Sequence, residues 1–108
     1  MTPVFLQDMA WISALGRGSA ARDALFAAQP GGVAPTDQST PGRMLHLGRV
    51  AEALPALDAQ PVAFRSRTNA LLAALLPDLQ ASADTAIARF GPHRVAVVLG
   101  VSAAGLQE

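Results

Sequence analysis

The apolar positions along this chain follow strand-like and helix-like spacings in turn. The apolar run Val4-Phe5-Leu6 opens a first strand that is predicted to extend to Met9, and the glycines at 16 and 18 predict that a sharp turn ends it. A stripe of small apolar side chains over residues 20–28 predicts a short helix, with Ser19 as its N-cap. The first third of the chain therefore reads as a strand followed by a helix.

The middle of the chain is dominated by residues that break regular structure. Three prolines and three glycines between residues 30 and 42 predict a loop. Residues 44–48 predict a second strand, although their apolar positions do not alternate cleanly. Residues 50–54 predict a single helical turn before Pro55.

The clearest pattern in the chain predicts a long helix that starts at Ser66 or Thr68 and ends at Phe90, before Gly91 and Pro92. One face of it repeats apolar residues every three or four positions. That face consists of Leu72, Leu75, Leu76, Leu79, Ala83, Ala86 and Phe90. Pro77 lies inside this pattern and predicts a kink between Ala73 and Pro77, because it removes a backbone donor and crowds the carbonyl of Ala73.

A final apolar run over residues 94–100 predicts a third strand that is apolar on both faces. Such a strand is typical of a parallel sheet covered by helices on both sides. The order strand, helix, strand, helix, strand predicts an α/β fold with parallel pairing and right-handed crossovers. The length allows at most a single domain over residues 1–108, or part of one.

Composition favours a chain that is part of something larger or that pairs with a partner. Apolar residues make up 51% and charged residues only 15%, against about 25% charged in typical domains. A small free-standing domain has much surface to cover and normally carries more charge. A general bias towards alanine is the alternative explanation.

Charge and residue content exclude several classes of function. The formal net charge is +0 and the chain has no lysine. It therefore lacks the basic stripe that would indicate nucleic-acid binding. The longest apolar runs fall far short of the ~18 residues of a membrane helix, and the start lacks the basic region of a signal peptide, which favours the cytoplasm. The absence of cysteine excludes disulfides, thiolate metal sites and a cysteine nucleophile within these residues. His46 and His93 lie far apart in sequence and make a poor metal site. No cofactor is expected.

The run Gly100-Val101-Ser102-Ala103-Ala104-Gly105 approaches three glycine-rich motifs and completes none. Ala104 breaks the nucleophile elbow, Ser102 breaks the dinucleotide fingerprint, and the phosphate-binding loop lacks its lysine. Ser102 as a nucleophile needs a base, and His93 would lie about 30 Å away along the same extended strand. His46 comes near only if the fold happens to bring it there. A turn that lets neighbouring elements pack closely is the favoured interpretation.

A few other side chains are candidates for chemistry, each with a plainer structural role beside it. Asp8 follows the first apolar run, where acids act as ligands or catalysts in α/β folds, but a turn or cap acid is more common. Arg65, Arg67 and Arg94 suit a carboxylate or phosphate clamp, although salt bridges around the helix start and strand start are favoured. Trp11 is expected in the core.

Several stretches, in order, resemble the N-terminal part of β-ketoacyl-acyl-carrier-protein synthases. Residues 4–16 are similar to the family's first strand and turn, and residues 20–29 with the following glycines to its first helix. Residues 67–90 resemble its long helix. Arg94-Val95-Ala96-Val97-Val98-Leu99-Gly100 resembles its Arg-Ile-Gly-Val-Val-Leu-Gly strand, and residues 100–105 stand where many members carry Gly-Thr-Ser-x-Ser-Gly. Gln7 and Asp8 replace a common Thr-Gly pair, and Val101 and Ala104 replace the Thr and the second Ser of the turn.

The resemblance implies a thiolase-like fold, of which this chain would form the incomplete N-terminal sheet. It also implies a homodimer that takes acyl groups from acyl carrier protein onto a cysteine and, with two histidines, condenses them with malonyl thioesters in fatty-acid, polyketide or polyene biosynthesis. All three catalytic residues lie beyond the matching stretch, so no catalytic residue transfers to this chain.

Three hypotheses stay open from the sequence. The first is the N-terminal part of such a synthase, inactive alone because the nucleophilic cysteine is missing. The second is a stand-alone, non-catalytic α/β module that binds or scaffolds a synthase partner. The third is a small serine hydrolase that uses Ser102, which labelling by a fluorophosphonate probe would test.

Overall fold

The fold was analysed in a computed structural model, which describes residues 2–28 and 31–101. These residues form two compact units. We call Ala10–Ala53 the hairpin unit, and residues 2–9 together with 54–101 the helical unit. The described chain is a small mixed α/β protein with two helices and two two-stranded sheets, which confirms the mixed class.

The hairpin unit begins with a very tight antiparallel turn. Strand β1 (Ile12–Ser13) pairs with β2 (Gly16–Arg17). Gly16 has a φ of 117°, a value that glycine adopts without the strain a side chain would bring. The Ser13 hydroxyl accepts a 3.1 Å hydrogen bond from the backbone of Leu15 inside the turn. The turn expected from the two glycines is confirmed.

Helix α1 (Gly18–Phe26) follows this turn directly. Arg17 is its N-cap residue and makes no side-chain capping hydrogen bond, and Ser19 lies inside the helix. The expected cap at Ser19 is therefore wrong, because the helix begins as soon as the Gly16–Arg17 strand ends. Ala21 is 3% exposed and is the buried contact of this helix.

A longer antiparallel hairpin completes this unit. Strand β3 (Val33–Thr36) pairs with β4 (Leu45–Gly48), and Pro35 lies opposite His46. The second strand is confirmed, and its Leu45 and Leu47 are half-buried while His46 is exposed. The interpretation of residues 30–42 entirely as a loop is wrong over β3. A two-stranded sheet has only edge strands, and an edge strand tolerates a proline that donates no hydrogen bond.

The helical unit is built on α2 (Arg67–Phe90). Ser66 caps it, since its hydroxyl accepts a 3.0 Å hydrogen bond from the backbone of Asn69, and Gly91 ends it with a φ of 83°. Both boundaries are as the sequence predicts, with Ser66 rather than Thr68 as the cap. Pro77 lies inside the helix, and the kink expected there stays a prediction.

The expected first and third strands are absent. Residues 4–9 have no regular structure, and a short 3₁₀ turn (Pro92–Arg94) leads into residues 95–101, which pair with no strand in the described chain. Both observed sheets are antiparallel, so the predicted parallel pairing with crossovers is wrong for the described residues. Apolar and β-branched residues favour an extended backbone, but a strand also needs a partner edge.

Burial is shallow in both units. In the described residues the buried apolar side chains are Ala21, Ala70 and Ala86, and no large side chain is fully buried. The apolar face of α2 is buried only at Ala86, half-buried over most of its length, and exposed at Leu76 and Phe90. Trp11, expected in the core, is half-buried.

Candidate functional site

A cavity of about 330 Å³ lies beside the start of α2 in the helical unit. Its walls combine apolar side chains with charged ones. The lining residues are Leu54, Pro55, Leu57, Asp58, Arg65, Ser66, Arg67 and Ala70.

Local backbone geometry positions Arg65 in this lining. A 3₁₀ turn (Val62–Phe64) precedes it, and the backbone of Arg65 donates to the carbonyl of Val62 over 3.1 Å. The guanidinium Nε of Arg65 donates a 2.8 Å hydrogen bond to the carbonyl of Gln60. One nitrogen of this side chain is thus held to the backbone of the loop that leads to α2.

The charges around the cavity are mixed. Arg65 and Arg67 both line the cavity, and Asp58 provides a carboxylate in the same lining. Guanidinium groups pair readily with carboxylates and phosphates. Arg94 does not join them, because it lies in the 3₁₀ turn that follows α2.

The polar groups of the lining offer one hydroxyl, that of Ser66. The hydroxyl of Ser66 is engaged as the cap of α2. No histidine is among the lining residues. The lining therefore suits the holding of a charged group better than acyl-transfer chemistry.

Asp8 has well-defined hydrogen-bond partners elsewhere in the helical unit. Its carboxylate accepts a 2.5 Å hydrogen bond from the Ser82 hydroxyl and a 2.8 Å bond from the backbone of Met9. Both bonds lower the pKa of the Asp8 carboxyl below its ordinary value, and the bond from Ser82 has the larger effect. Ser82 was not a candidate from sequence, because nothing local signals a partner 74 positions away.

The two histidines lie in different surroundings. His46 is exposed on β4. His93 lies in the 3₁₀ turn after α2, close to Gly91, where an added β-carbon would stand 3.0 Å from the His93 Cε1 atom. Ser102 and the rest of the run that ends at Gly105 lie outside the described residues, so no arrangement around Ser102 is described.

The described residues also lack two other kinds of feature. Across residues 2–28 and 31–101, no group of three or more metal-binding side chains comes together. In the same part of the chain, no helix combines the length and apolar character needed to cross a membrane.

Comparison of the chain with protein-family models, with curated proteins and with solved structures gave no match.

Proposed function

We propose that this chain is the N-terminal part of a 3-oxoacyl-acyl-carrier-protein synthase, with a thiolase-like sheet that only the remainder of such an enzyme completes. The proposal is supported by the order and spacing of the stretches that resemble this family. It is also supported by where the chain leaves its apolar side chains uncovered.

The uncovered apolar segments of the helical unit carry the proposal. Val4, Phe5 and Leu6 are 94%, 80% and 80% exposed, and they belong to the stretch that resembles the family's first strand. Val97, Val98 and Leu99 are 63%, 92% and 62% exposed, in the stretch that resembles the later strand.

The free energy that these side chains leave unused is large. Burying one Val, Leu or Phe side chain contributes about 1.5–3 kcal/mol. Six side chains left mostly in water therefore forgo on the order of 10 kcal/mol, as much as the whole stability of a typical domain. A larger sheet that covered both segments would recover this free energy.

In the proposed enzyme, residues 4–9 and 94–100 become strands because the missing sheet supplies their hydrogen-bonding partners. The family's condensation begins when a cysteine thiolate takes an acyl group from acyl carrier protein. This chain has no cysteine, so it has no thiolate to attack the thioester and is inactive alone.

The test uses the native protein from its own cells. An antibody against residues 67–90 isolates it, and the isolate is incubated with acyl carrier protein that bears a radiolabelled acyl chain. We expect a polypeptide much larger than 11.1 kDa, labelled in a manner that iodoacetamide prevents. The 108-residue chain itself is the matched control and should take no label, since it has no cysteine.

A native polypeptide of the size of this chain, without label, would contradict the proposal. It would favour the alternative, a non-catalytic module that binds a synthase partner. The closed antiparallel hairpins of the hairpin unit are the feature that suits such a module. Under that alternative the antibody should recover a separate synthase together with an 11.1 kDa chain.

A further inference from the structure

We infer that the cavity beside the start of α2 binds a small zwitterion with an apolar side chain, an α-amino acid such as leucine. The carboxylate of this ligand pairs with Arg65, and its ammonium group pairs with Asp58. The inference rests on the lining of the cavity and does not depend on the proposed enzyme, whose substrates are thioesters.

The cavity has the size of a site for a small molecule. Ligand sites in proteins enclose roughly 300–1,000 Å³ and combine mainly apolar walls with a few polar or charged groups. This cavity, at about 330 Å³, lies at the lower end of that range. Its volume therefore suits a molecule of the size of an amino acid rather than a nucleotide or a long acyl chain.

Arg65 supplies a guanidinium group that is anchored but not saturated. Its Nε atom donates a 2.8 Å hydrogen bond to the carbonyl of Gln60. Within the described residues, its two terminal nitrogens make no hydrogen bond and no ion pair. Guanidinium groups bind carboxylates through two parallel N–H bonds, and the two terminal nitrogens are left for such a pair.

Asp58 supplies the opposite charge in the same lining. Among the described residues, its carboxylate has no hydrogen-bond or ion-pair partner, and it does not pair with Arg65 although both line one cavity. Opposite charges that share a cavity without reaching each other match the two ends of a zwitterion. In an α-amino acid, a single carbon atom joins the ammonium group to the carboxylate.

The charges of the lining favour a zwitterion over a simple ion. A phosphate would meet the guanidinium groups of Arg65 and Arg67 but would also face the carboxylate of Asp58, and like charges repel. A simple amine would pair with Asp58 but would face two guanidinium groups. A ligand that carries both signs of charge pairs with Arg65 and Asp58 together.

The remainder of the ligand is apolar because the remainder of the lining is mostly apolar. Leu54 and Leu57 are half-buried, Ala70 is buried, and Pro55 lies beside them in the lining. An aliphatic side chain placed against these groups removes apolar surface from water. The lining therefore favours an aliphatic amino acid over glycine or a polar amino acid.

Leucine and two molecules that each lack one of its charges test the pairing. Isocaproate is leucine without its amino group, and isoamylamine is leucine without its carboxyl group. Exposed ion pairs each contribute modestly, so we expect weak but saturable binding, measured by amide shifts in NMR spectra of the 108-residue chain. Leucine should shift the amides of Leu57, Asp58, Arg65 and Ser66, and it should bind severalfold more tightly than either of the other two molecules.

Two variants assign the charges to the residues. Asp58→Asn should weaken leucine binding severalfold and leave isocaproate binding at least as strong, because the lost charge faces the ammonium group alone. Arg65→Gln should weaken the binding of both. The matched controls are Asp84→Asn and Arg89→Gln, which remove charges of the same unit outside the lining and should leave leucine binding unchanged. Asp58 makes no polar contact within the described residues, so Asp58→Asn should keep the fold.

Two results would overturn the inference. The first is binding of isocaproate or of inorganic phosphate as tight as that of leucine, which would indicate a site for anions alone. The second is the absence of a saturable shift at any leucine concentration up to its solubility. Neither result bears on the mass or the acylation of the native polypeptide, and an unlabelled native polypeptide of 11.1 kDa would leave the leucine titration intact.

Discussion

The Ser82 hydroxyl donates a 2.5 Å hydrogen bond to the Oδ2 atom of Asp8 and so connects the start of the chain to the middle of α2. The backbone of Met9 donates to the other carboxylate oxygen. Residues near Asp8 form no strand, so this contact is a specific link between that segment and the helix.

The link predicts a shift in the titration of Asp8. Hydrogen bonds from Ser82 and Met9 favour the ionised carboxylate and lower its pKa below the ordinary value of 3.8. The stabilisation is therefore present above pH 3.8 and is lost as the pH falls through the lower, folded-state pKa. In an NMR titration, Ser82→Ala should return the pKa of Asp8 towards 3.8.

Thr85→Ala is the control for this titration, because the Thr85 hydroxyl donates to the carbonyl of Ala81 instead. It should leave the pKa of Asp8 unchanged. If Ser82→Ala also left it unchanged, the hydrogen bond would not exist in solution.

The cap at Ser66 predicts a measurable contribution to stability. Ser66→Ala removes the acceptor for the backbone N–H of Asn69, and loss of such a cap costs about 1 kcal/mol. Urea unfolding followed by circular dichroism measures the loss. Thr68→Ala changes a residue inside the helix and should have a smaller effect. A larger loss at Thr68 would mean that α2 starts there instead.

The backbone of Ala14 leaves no room for a side chain at Gly32 in the hairpin unit. The φ of Gly32 is 80°, and an added β-carbon would clash with the carbonyl oxygen of Ala14 and lie 2.6 Å from its carbonyl carbon. We expect Gly32→Ala to reduce the free energy of unfolding by about 3 kcal/mol, from backbone strain and overpacking together.

Gly42 isolates the backbone part of this effect. Its φ is 82°, and nothing lies within 4 Å of an added β-carbon. Gly42→Ala should therefore cost only about 1–2 kcal/mol. Equal losses at the two glycines would show that the contact with Ala14 is absent.

We expect Pro77 to make α2 less stable than the same helix with alanine at this position. A proline inside a helix costs up to about 3 kcal/mol relative to alanine, and Pro77 is exposed within α2. Pro77→Ala should raise the thermal midpoint of the helical unit. Pro55→Ala changes a proline outside any helix and should not raise it. A lower midpoint for Pro77→Ala would show that the proline supports the native arrangement.

The sequence predicts α2 well because its signals are local. The spacing of leucines, the cap at Ser66 and the glycine at 91 all act within a few residues.

Pairing and long-range contacts were beyond the sequence patterns. The sequence pattern misses β3 because this strand contains Pro35. Proline is expected in a strand only at the edge of a sheet, and the pairing of β3 with β4 is what shows that β3 is an edge strand. Residues 95–99 have the composition of a strand, but composition does not supply a neighbour. The residues around Asp8 and those around Ser82 give no local sign that these two side chains form a hydrogen bond.

Within the described residues, the buried apolar side chains are all alanines, and this affects the heat capacity of unfolding. The heat capacity of unfolding rises with the apolar area that leaves water on folding, and a methyl group contributes little area. The stability curve of this chain should accordingly be flat, with a heat-capacity increment below the usual ~12–15 cal/mol/K per residue. Association that covers its valines and leucines should steepen that curve.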